Sequence, residues 1–510
     1  MPVVVRDFAP VEVACHPPRQ GRSRRNLSVV WFVGPTLLWL AGTTPGATAS
    51  DQRYQLGKRV QRFESAWEQN DSPEVRGRVL APLQAAVSFF FSGNQAGAGK
   101  SLDQALQALD AGEPSPVRAL WHSLNVSLPS PLIPLGNSPI EVRIDRAYKL
   151  HDSPDPEGEL LIALLQDDRE VVSATAVWTQ FGQVVTVPVA GLPAGDYRLQ
   201  VRLQQGTSVF ELPAQTVSVT ADPAGRLARL SDEVAGLSTE ANGAARQTVR
   251  DTVRELKGLL GASRPETDYP AHALLESCEA WTSQLARGET VCLAQGPGQY
   301  WISPHEGRKS ARCRFLWPRK SSPPVQDSSA DRPAPRPLVI ALHGAGGSEN
   351  MFFDAYGAGK IVRLCEDRGW LLLAPRLSPL TGTGLDLPAL IAAVDVLHPV
   401  DRQQVFVVGH SMGAMQGLNL VAKSPEAVRR LAILGGGQRV RQVGDFTQIP
   451  LFAGAGAEDF GKGGVQQVAR QFRQAGLSLE EKDYPQIEHL GIVQVALDDV
   501  FRFFEAGASP

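Results

Sequence analysis

The residues best placed to do chemistry lie in one short phrase, Gly409-His410-Ser411-Met412-Gly413. It follows directly on the apolar run Val405–Val408 and leads into a helical segment, so it reads as a strand–turn–helix elbow. Both glycines suit so tight a turn, because side chains there would collide with neighbouring backbone. Ser411 then projects from the carboxyl end of a buried strand at a helix N-terminus, where a nucleophile is presented and developing negative charge is favoured.

A serine hydroxyl is a weak nucleophile near neutral pH and needs a base within hydrogen-bond reach. Behind an elbow of this kind the chain order is serine, acid, histidine. Of the nine histidines only His489 follows Ser411, in a loop after the strand-like Leu477–Asp483. Among the intervening carboxylates Asp459 is preferred, because Leu451-Phe-Ala-Gly-Ala-Gly-Ala-Glu-Asp459 is a buried strand entering a Gly-x-x-Asp turn. Such a carboxylate would hold the imidazole tautomer and stabilise the imidazolium. Glu458 is the alternative, whereas Asp445 and Glu426 fall in a loop and a helix and read as solvated.

An oxyanion formed at Ser411 needs two backbone donors. Leu338–Leu342 ends in His343-Gly-Ala-Gly-Gly-Ser, a loop able to turn an N–H towards it. The expected pair is the N–H groups of Ala345 and Met412, with Gly344 as the alternative to Ala345 and His343 in a structural role.

The elements that must position these residues are a strand–helix alternation from Pro337 onward. Leu338–Leu342, Leu371–Ala374, Val405–Val408, Leu431–Leu434 and Leu451–Ala453 are near-continuous apolar strands, as in a parallel sheet covered on both faces. Gln299–Ile302 and Arg312–Trp317 suit two earlier strands. Between the sixth and seventh strand-like runs lies only Gly435–Ile449, too short for a helical cap, which predicts an open cleft walled by Leu377–Pro388.

Upstream the period changes twice. Residues 50–130 and 225–286 carry helical spacing, and 138–221 holds six short strand-like runs punctuated by turns, the pattern of a small β-sandwich of immunoglobulin or fibronectin type. The expected architecture is multidomain, with helical segments flanking the sandwich and packing on each other, and a catalytic domain over 290–510. Residues Asn94 to Ser101 imitate a nucleotide-binding loop, but Asn94 stands where its first glycine is required, and a helix–turn–helix is the reading taken.

The first 49 residues have the order of an export signal: basic Arg19–Arg25, apolar Leu27–Ala41, then Ala47-Thr48-Ala49. Ser23-Arg24-Arg25-Asn26-Leu27 resembles a twin-arginine signal. Gly34 and Pro35 interrupt the apolar run, which is shorter than the ~20 residues that span a bilayer, so no stable membrane anchor is expected. An exported chain can keep disulfides, and the sequence leaves open a Cys278–Cys292 pair or free buried thiols. The formal net charge of −3, without a dense basic run beyond the leader, speaks against a nucleic-acid partner.

His343–Ser348, the phrase from Val400 to Ala414, the Gly-x-x-Asp turn and the late histidine together resemble the α/β-hydrolase-fold serine esterases. The similarity is to the secreted branch (polyhydroxybutyrate-depolymerase-like and feruloyl-esterase-like) and its peptidase relatives, and it covers the C-terminal part alone. It implies a mostly parallel doubly wound sheet, ester hydrolysis through an acyl-enzyme, a peptide substrate as the alternative, and no metal or organic cofactor. The chain is also similar to dienelactone-hydrolase-like enzymes, but those use cysteine where this chain has Ser411.

Overall fold

A computed structural model of the chain describes residues 49–70, 72–109, 115–136, 138–151, 155–237, 242–261, 263–307, 310–320, 333–377 and 384–506. The expected leader lies outside them, save for Ala49.

Four helices come first: α1 (Ala49–Glu68), α2 (Pro73–Phe91), α3 (Gln95–Leu109) and α4 (Pro116–Ser123). Ser72 caps α2 by accepting the Val75 N–H, and Pro73 occupies the first turn, where a missing N–H costs nothing. The chain reverses after α2, and the Asn94 side chain accepts the Gly97 N–H at 2.9 Å to start α3. Gly97, Gly99, Lys100 and Ser101 are therefore helical, and the apparent nucleotide loop is the first turns of α3.

Nine strands follow: β1 (Leu124–Ser127), β2 (Leu132–Pro134), β3 (Ile140–Arg146), β4 (Glu159–Gln166), β5 (Arg169–Val177), β6 (Gln183–Val187), β7 (Gly195–Gln205), β8 (Ser208–Glu211) and β9 (Gln215–Thr220). They form two sheets, β1-β3-β6 and β2-β9-β7-β4-β5 with β8 on β7. Residues of both, among them Val142, Ile144, Ile162 and Val201, share one core. The sandwich begins earlier than the sequence pattern shows. β1 directly follows a helix, and β2 is three residues of a proline-rich stretch, too short to display a period, held by parallel pairing with β9.

Helices α5 (Pro223–Gly236), α6 (Gly243–Leu260) and α7 (Ala271–Ala286) lead to the largest sheet. Its strands are β10 (Gly298–Ile302), β11 (Cys313–Trp317), β12 (Arg336–Leu342), β13 (Leu371–Pro375), β14 (Val400–His410), β15 (Arg430–Leu434), β16 (Leu451–Gly456) and β17 (Leu479–Tyr484). Between and after them run α8 (Lys360–Arg368), α9 (Leu387–Leu397), α10 (Met412–Lys423), α11 (Lys462–Gln474) and α12 (Ile492–Glu505). The spatial order is β10-β11-β13-β12-β14-β15-β16-β17. From β13 across to β17 every pairing is parallel, and β10 and β11 are antiparallel at the edge.

Side chains alternate across a strand, so each strand feeds two cores. Leu338, Ile340, Val405 and Val407 face a layer containing α5, α6, α7, α9, α10 and α11. Val339, Ala341, Phe406 and Val408 face the other, containing α1, α2, α3, α8 and α12. The two helical segments meet where α1 bonds the connection between α6 and α7, Arg53 to Glu266 and both Tyr54 and Lys58 to Asp268, but their helices cover opposite faces of this sheet. Their apolar stripes show that they are buried, and nothing in a stripe names its partner. The described residues form one compact unit.

Among the described residues no helix is long and apolar enough to cross a membrane. Cys278, Cys292, Cys313 and Cys365 are free thiols. The Cys278–Cys292 pair is not formed: Cys278 is buried in α7, while Cys292 is exposed and its thiol donates to the Ala294 carbonyl.

Candidate active site

β14 ends in the elbow foreseen from the sequence. Ser411 has φ 55° and ψ −116°, a conformation costly for a residue with a side chain and held only because its surroundings fix it. A Cβ on Gly409 would collide with the Gly413 carbonyl, and one on Gly413 with the Leu342 carbonyl. The Ser411 N–H donates to the Leu434 carbonyl at 2.9 Å, which ties the elbow to β15.

Ser411, His489 and Asp459 meet at the carboxyl edge of the sheet. Ser411 Oγ lies 2.9 Å from His489 Nε2, and His489 Nδ1 lies 2.7 Å from Asp459 Oδ1. His489 and Asp459 are buried and Ser411 is half-buried. With Nδ1–H donated to Asp459, Nε2 is left to accept the serine hydroxyl proton. Asp459 is fixed in turn by the Gly461 N–H, 2.6 Å from Oδ1. Gly435, at φ 57°, makes room for it, since a Cβ there would stand 2.6 Å from Asp459 Oδ2. Glu458, the alternative acid, is exposed, and its main chain bonds Ile487 instead.

Two residues that no motif singled out support this line. His410, buried directly before Ser411, donates Nε2–H to the His489 carbonyl at 2.9 Å. Its Nδ1 accepts from the Tyr356 hydroxyl at 2.9 Å. Burial, reinforced by the neighbouring His489, pushes the His410 imidazole well below its usual pKa, so it stays neutral. His410 was visible inside the elbow phrase, but Tyr356 carries no local signal.

The glycine loop after β12 lies against the elbow: a Cβ on Gly344 would stand 3.3 Å from the Ser411 Cβ. Ala345 is exposed in this loop, and Met412 is the half-buried first residue of α10. His343 pins the loop, its Nδ1 2.7 Å from the Gly344 carbonyl and its Nε2 accepting the Leu377 N–H at 2.9 Å. Burial lowers its pKa to about 4 against that first bond, which keeps the ring neutral and structural. Behind the loop the buried Glu349 accepts from Tyr269 and twice from Arg376. Burial pushes the Glu349 carboxyl up, but Arg376 and Arg312 overcome it and hold it below the usual range.

Residues 337–488 match the family model of the alpha/beta hydrolase fold. Strand order, elbow and family match agree. The C-terminal part of the chain is an α/β-hydrolase-fold domain. No curated protein sequence matches the chain. Solved structures similar to the hydrolase domain include a fluorophosphonate-binding serine hydrolase from Staphylococcus aureus, at 12% identity and TM-score 0.34, covering 41% of this chain and 99% of that one. The feruloyl esterase module from Clostridium thermocellum shares 13% identity at TM-score 0.35, with 42% and 90% covered. An S-formylglutathione hydrolase from Agrobacterium tumefaciens shares 14% at TM-score 0.32, with 42% and 96% covered. At such low overlap nothing about their chemistry passes to this chain.

The hydrolase domain has no cap between β15 and β16; a single 3₁₀ turn, Val443–Phe446, occupies the connection. A wall of the cleft nonetheless arrives from elsewhere, and the expectation of an uncovered site is corrected on that side. The end of α2 reaches the site: a Cβ on Gly346 would stand 2.5 Å from the Phe90 ring, and the Phe91 ring packs edge-on against Phe460 at 5.6 Å. Phe460 in turn lies 4.0 Å from the His489 ring. From α1, Arg53 donates to the Gly346 carbonyl at 2.8 Å. Of the expected wall Leu377–Pro388, residues 378–383 lie outside the described ones.

Proposed function

We propose that the chain is an exported serine hydrolase that cleaves carboxylic esters through an acyl-enzyme, acting on a bulky or polymeric substrate. The observation that carries the reading is the unbroken line from Ser411 Oγ through the His489 ring to Asp459, with steps of 2.9 and 2.7 Å. In the proposed mechanism Ser411 Oγ attacks the ester carbonyl while His489 Nε2 takes its proton. The Ala345 and Met412 N–H groups hold the oxyanion, and Asp459 stabilises the imidazolium. His489 then protonates the leaving alkoxide as the C–O bond breaks. Water, deprotonated by His489, attacks the acyl-enzyme and releases the carboxylic acid, restoring Ser411. Export is supported by the signal-like first 49 residues, and a bulky substrate by the short connection between β15 and β16, with the end of α2 walling one side of the cleft.

The test is hydrolysis of p-nitrophenyl esters of increasing acyl length beside aminoacyl-nitroanilides, for the mature chain and Ser411→Ala. Ester turnover falling by on the order of 10⁶-fold in the variant supports the reading. Cleavage of the anilides in preference would replace it with a peptidase, and failure of a fluorophosphonate probe to label Ser411 would remove it.

A further inference from the structure

Among the described residues four phenylalanines are exposed: Phe89 at 38%, Phe90 at 36%, Phe91 at 55% and Phe460 at 63%. The other exposed large apolar residues are one leucine and five valines, and the remaining described phenylalanines, tyrosines and tryptophans are buried or half-buried. Three of them are chained by ring contacts although α2 and the β16–α11 loop are far apart in sequence. Phe90 and Phe91 lie 5.4 Å apart and Phe91 and Phe460 5.6 Å, both edge-on. The strip runs from Gly346 in the glycine loop to the ring of His489. Apolar side chains gathered on the surface and left in water mark a binding site more often than chance packing.

The chemistry of the site says which part of a substrate meets this strip. If Ser411 is acylated as proposed above, on which this inference rests, the carbonyl oxygen turns towards the glycine loop and the elbow. His489 Nε2 must deliver a proton to the leaving oxygen, so the group bonded to that oxygen starts beside the His489 ring. Of the rings packed on it, His410 is buried and Phe460 is exposed, and the next ring outward from Phe460 is Phe91. We infer that Phe460 and Phe91, with Phe90 at the glycine-loop end, seat an aromatic or bulky apolar substituent on the alcohol side of the scissile ester. The N-terminal helical segment thereby supplies a specificity surface to a catalytic centre built from the other end of the chain.

The experiment compares kcat/KM for dissolved ethyl acetate and 2-phenylethyl acetate, whose alcohols are similarly poor leaving groups and whose acyl-enzyme is identical. A parallel pair, ethyl acetate and ethyl 3-phenylpropanoate, moves the ring to the acyl side. A single added methylene in an apolar site discriminates by about ten-fold or more, and a ring on this open strip is expected to give the alcohol-side pair a preference of roughly that size. Phe91→Ser should lower that preference by at least about five-fold, chiefly through KM, and Phe91→Leu by less, while the acyl-side ratio stays put. Phe91 is more than half exposed, so its replacement leaves the core intact. An alcohol-side ratio unchanged in Phe91→Ser, a fall in the acyl-side ratio alone, or loss confined to emulsified esters, which would assign the strip to surface adsorption, each overturns the inference. Labelling of Ser411 by a fluorophosphonate without turnover of either alcohol-side ester also overturns it. Absence of labelling overturns the ester-hydrolase reading itself.

Discussion

His410 carries His489 by its main chain: the Nε2–H of the residue preceding Ser411 is donated to the His489 carbonyl at 2.9 Å. The elbow and the histidine loop are thus fixed to each other by a buried bond that touches no reacting atom. Leaving such a buried partner unsatisfied costs about 1–3 kcal/mol, or roughly 10- to 100-fold in rate if it appears in positioning. We predict that His410→Ala lowers kcat of ester hydrolysis by that factor with KM nearly unchanged. Tyr356→Phe, which removes the donor to His410 Nδ1, should cost several-fold less. Steady-state kinetics on a soluble p-nitrophenyl ester separates the two parameters.

Asp459 and Glu458 are adjacent in sequence and opposite in setting, one buried on the imidazole and the other in solvent. Asp459→Asn should lower kcat by about 10⁴-fold, because the amide favours the wrong histidine tautomer. Glu458→Gln should leave kcat within about two-fold, as exposed charges contribute little. Equal losses in the two variants would refute the assignment of the acid.

Glu64 of α1 is fully buried. Burial, with Glu488 of the histidine loop and Glu68 opposed to its charge, raises its pKa well above the usual value against the Gly357 main chain and Lys360. An acid raised by folding gives its full stabilisation below its ordinary value of 4.5, and loses it as pH rises through the folded value. Glu64→Gln should therefore raise Tm at pH 8 by roughly 2–4 °C and have no such effect near pH 4. Calorimetry at the two pH values checks the sign.

Three of the four cysteines of the described chain are buried, and Cys292 is exposed. Burial raises the Cys278 thiol to about 12. Apart from Cys15, which lies outside the described residues, one thiol should react quickly with a disulfide reagent in the folded protein and four after denaturation. Mass mapping should place the fast label on Cys292, and reductant should leave Tm unchanged.

What the sequence made legible is what local chemistry encodes. The elbow is five residues whose glycines have no alternative, and near-continuous apolar runs name buried strands without reference to their neighbours. That His489 and Asp459 come to lie in line with Ser411 follows from chain order for the one and from the turn that ends its strand for the other. The illegible parts are those made by contact. Tyr356 meets His410 from 54 residues away, and β2 is a strand because β9 is beside it. Phe90 and Phe91 read as the apolar end of a helix, and only tertiary packing brings them to Gly346 and Phe460. The same gap hid which face of the sheet each helical segment covers.

Because the chain lays α1–α3 on one face of the catalytic sheet and α5–α7 on the other, the hydrolase cannot be excised at residue 290. A truncated form would present Phe352, Tyr356, Val493 and their neighbours to water on one side and Leu338, Leu371 and Phe315 on the other. Both faces of this sheet are covered only once helices from the first half of the chain meet strands from the second. No shorter piece of the chain keeps both the site and the two layers that shield its sheet from water.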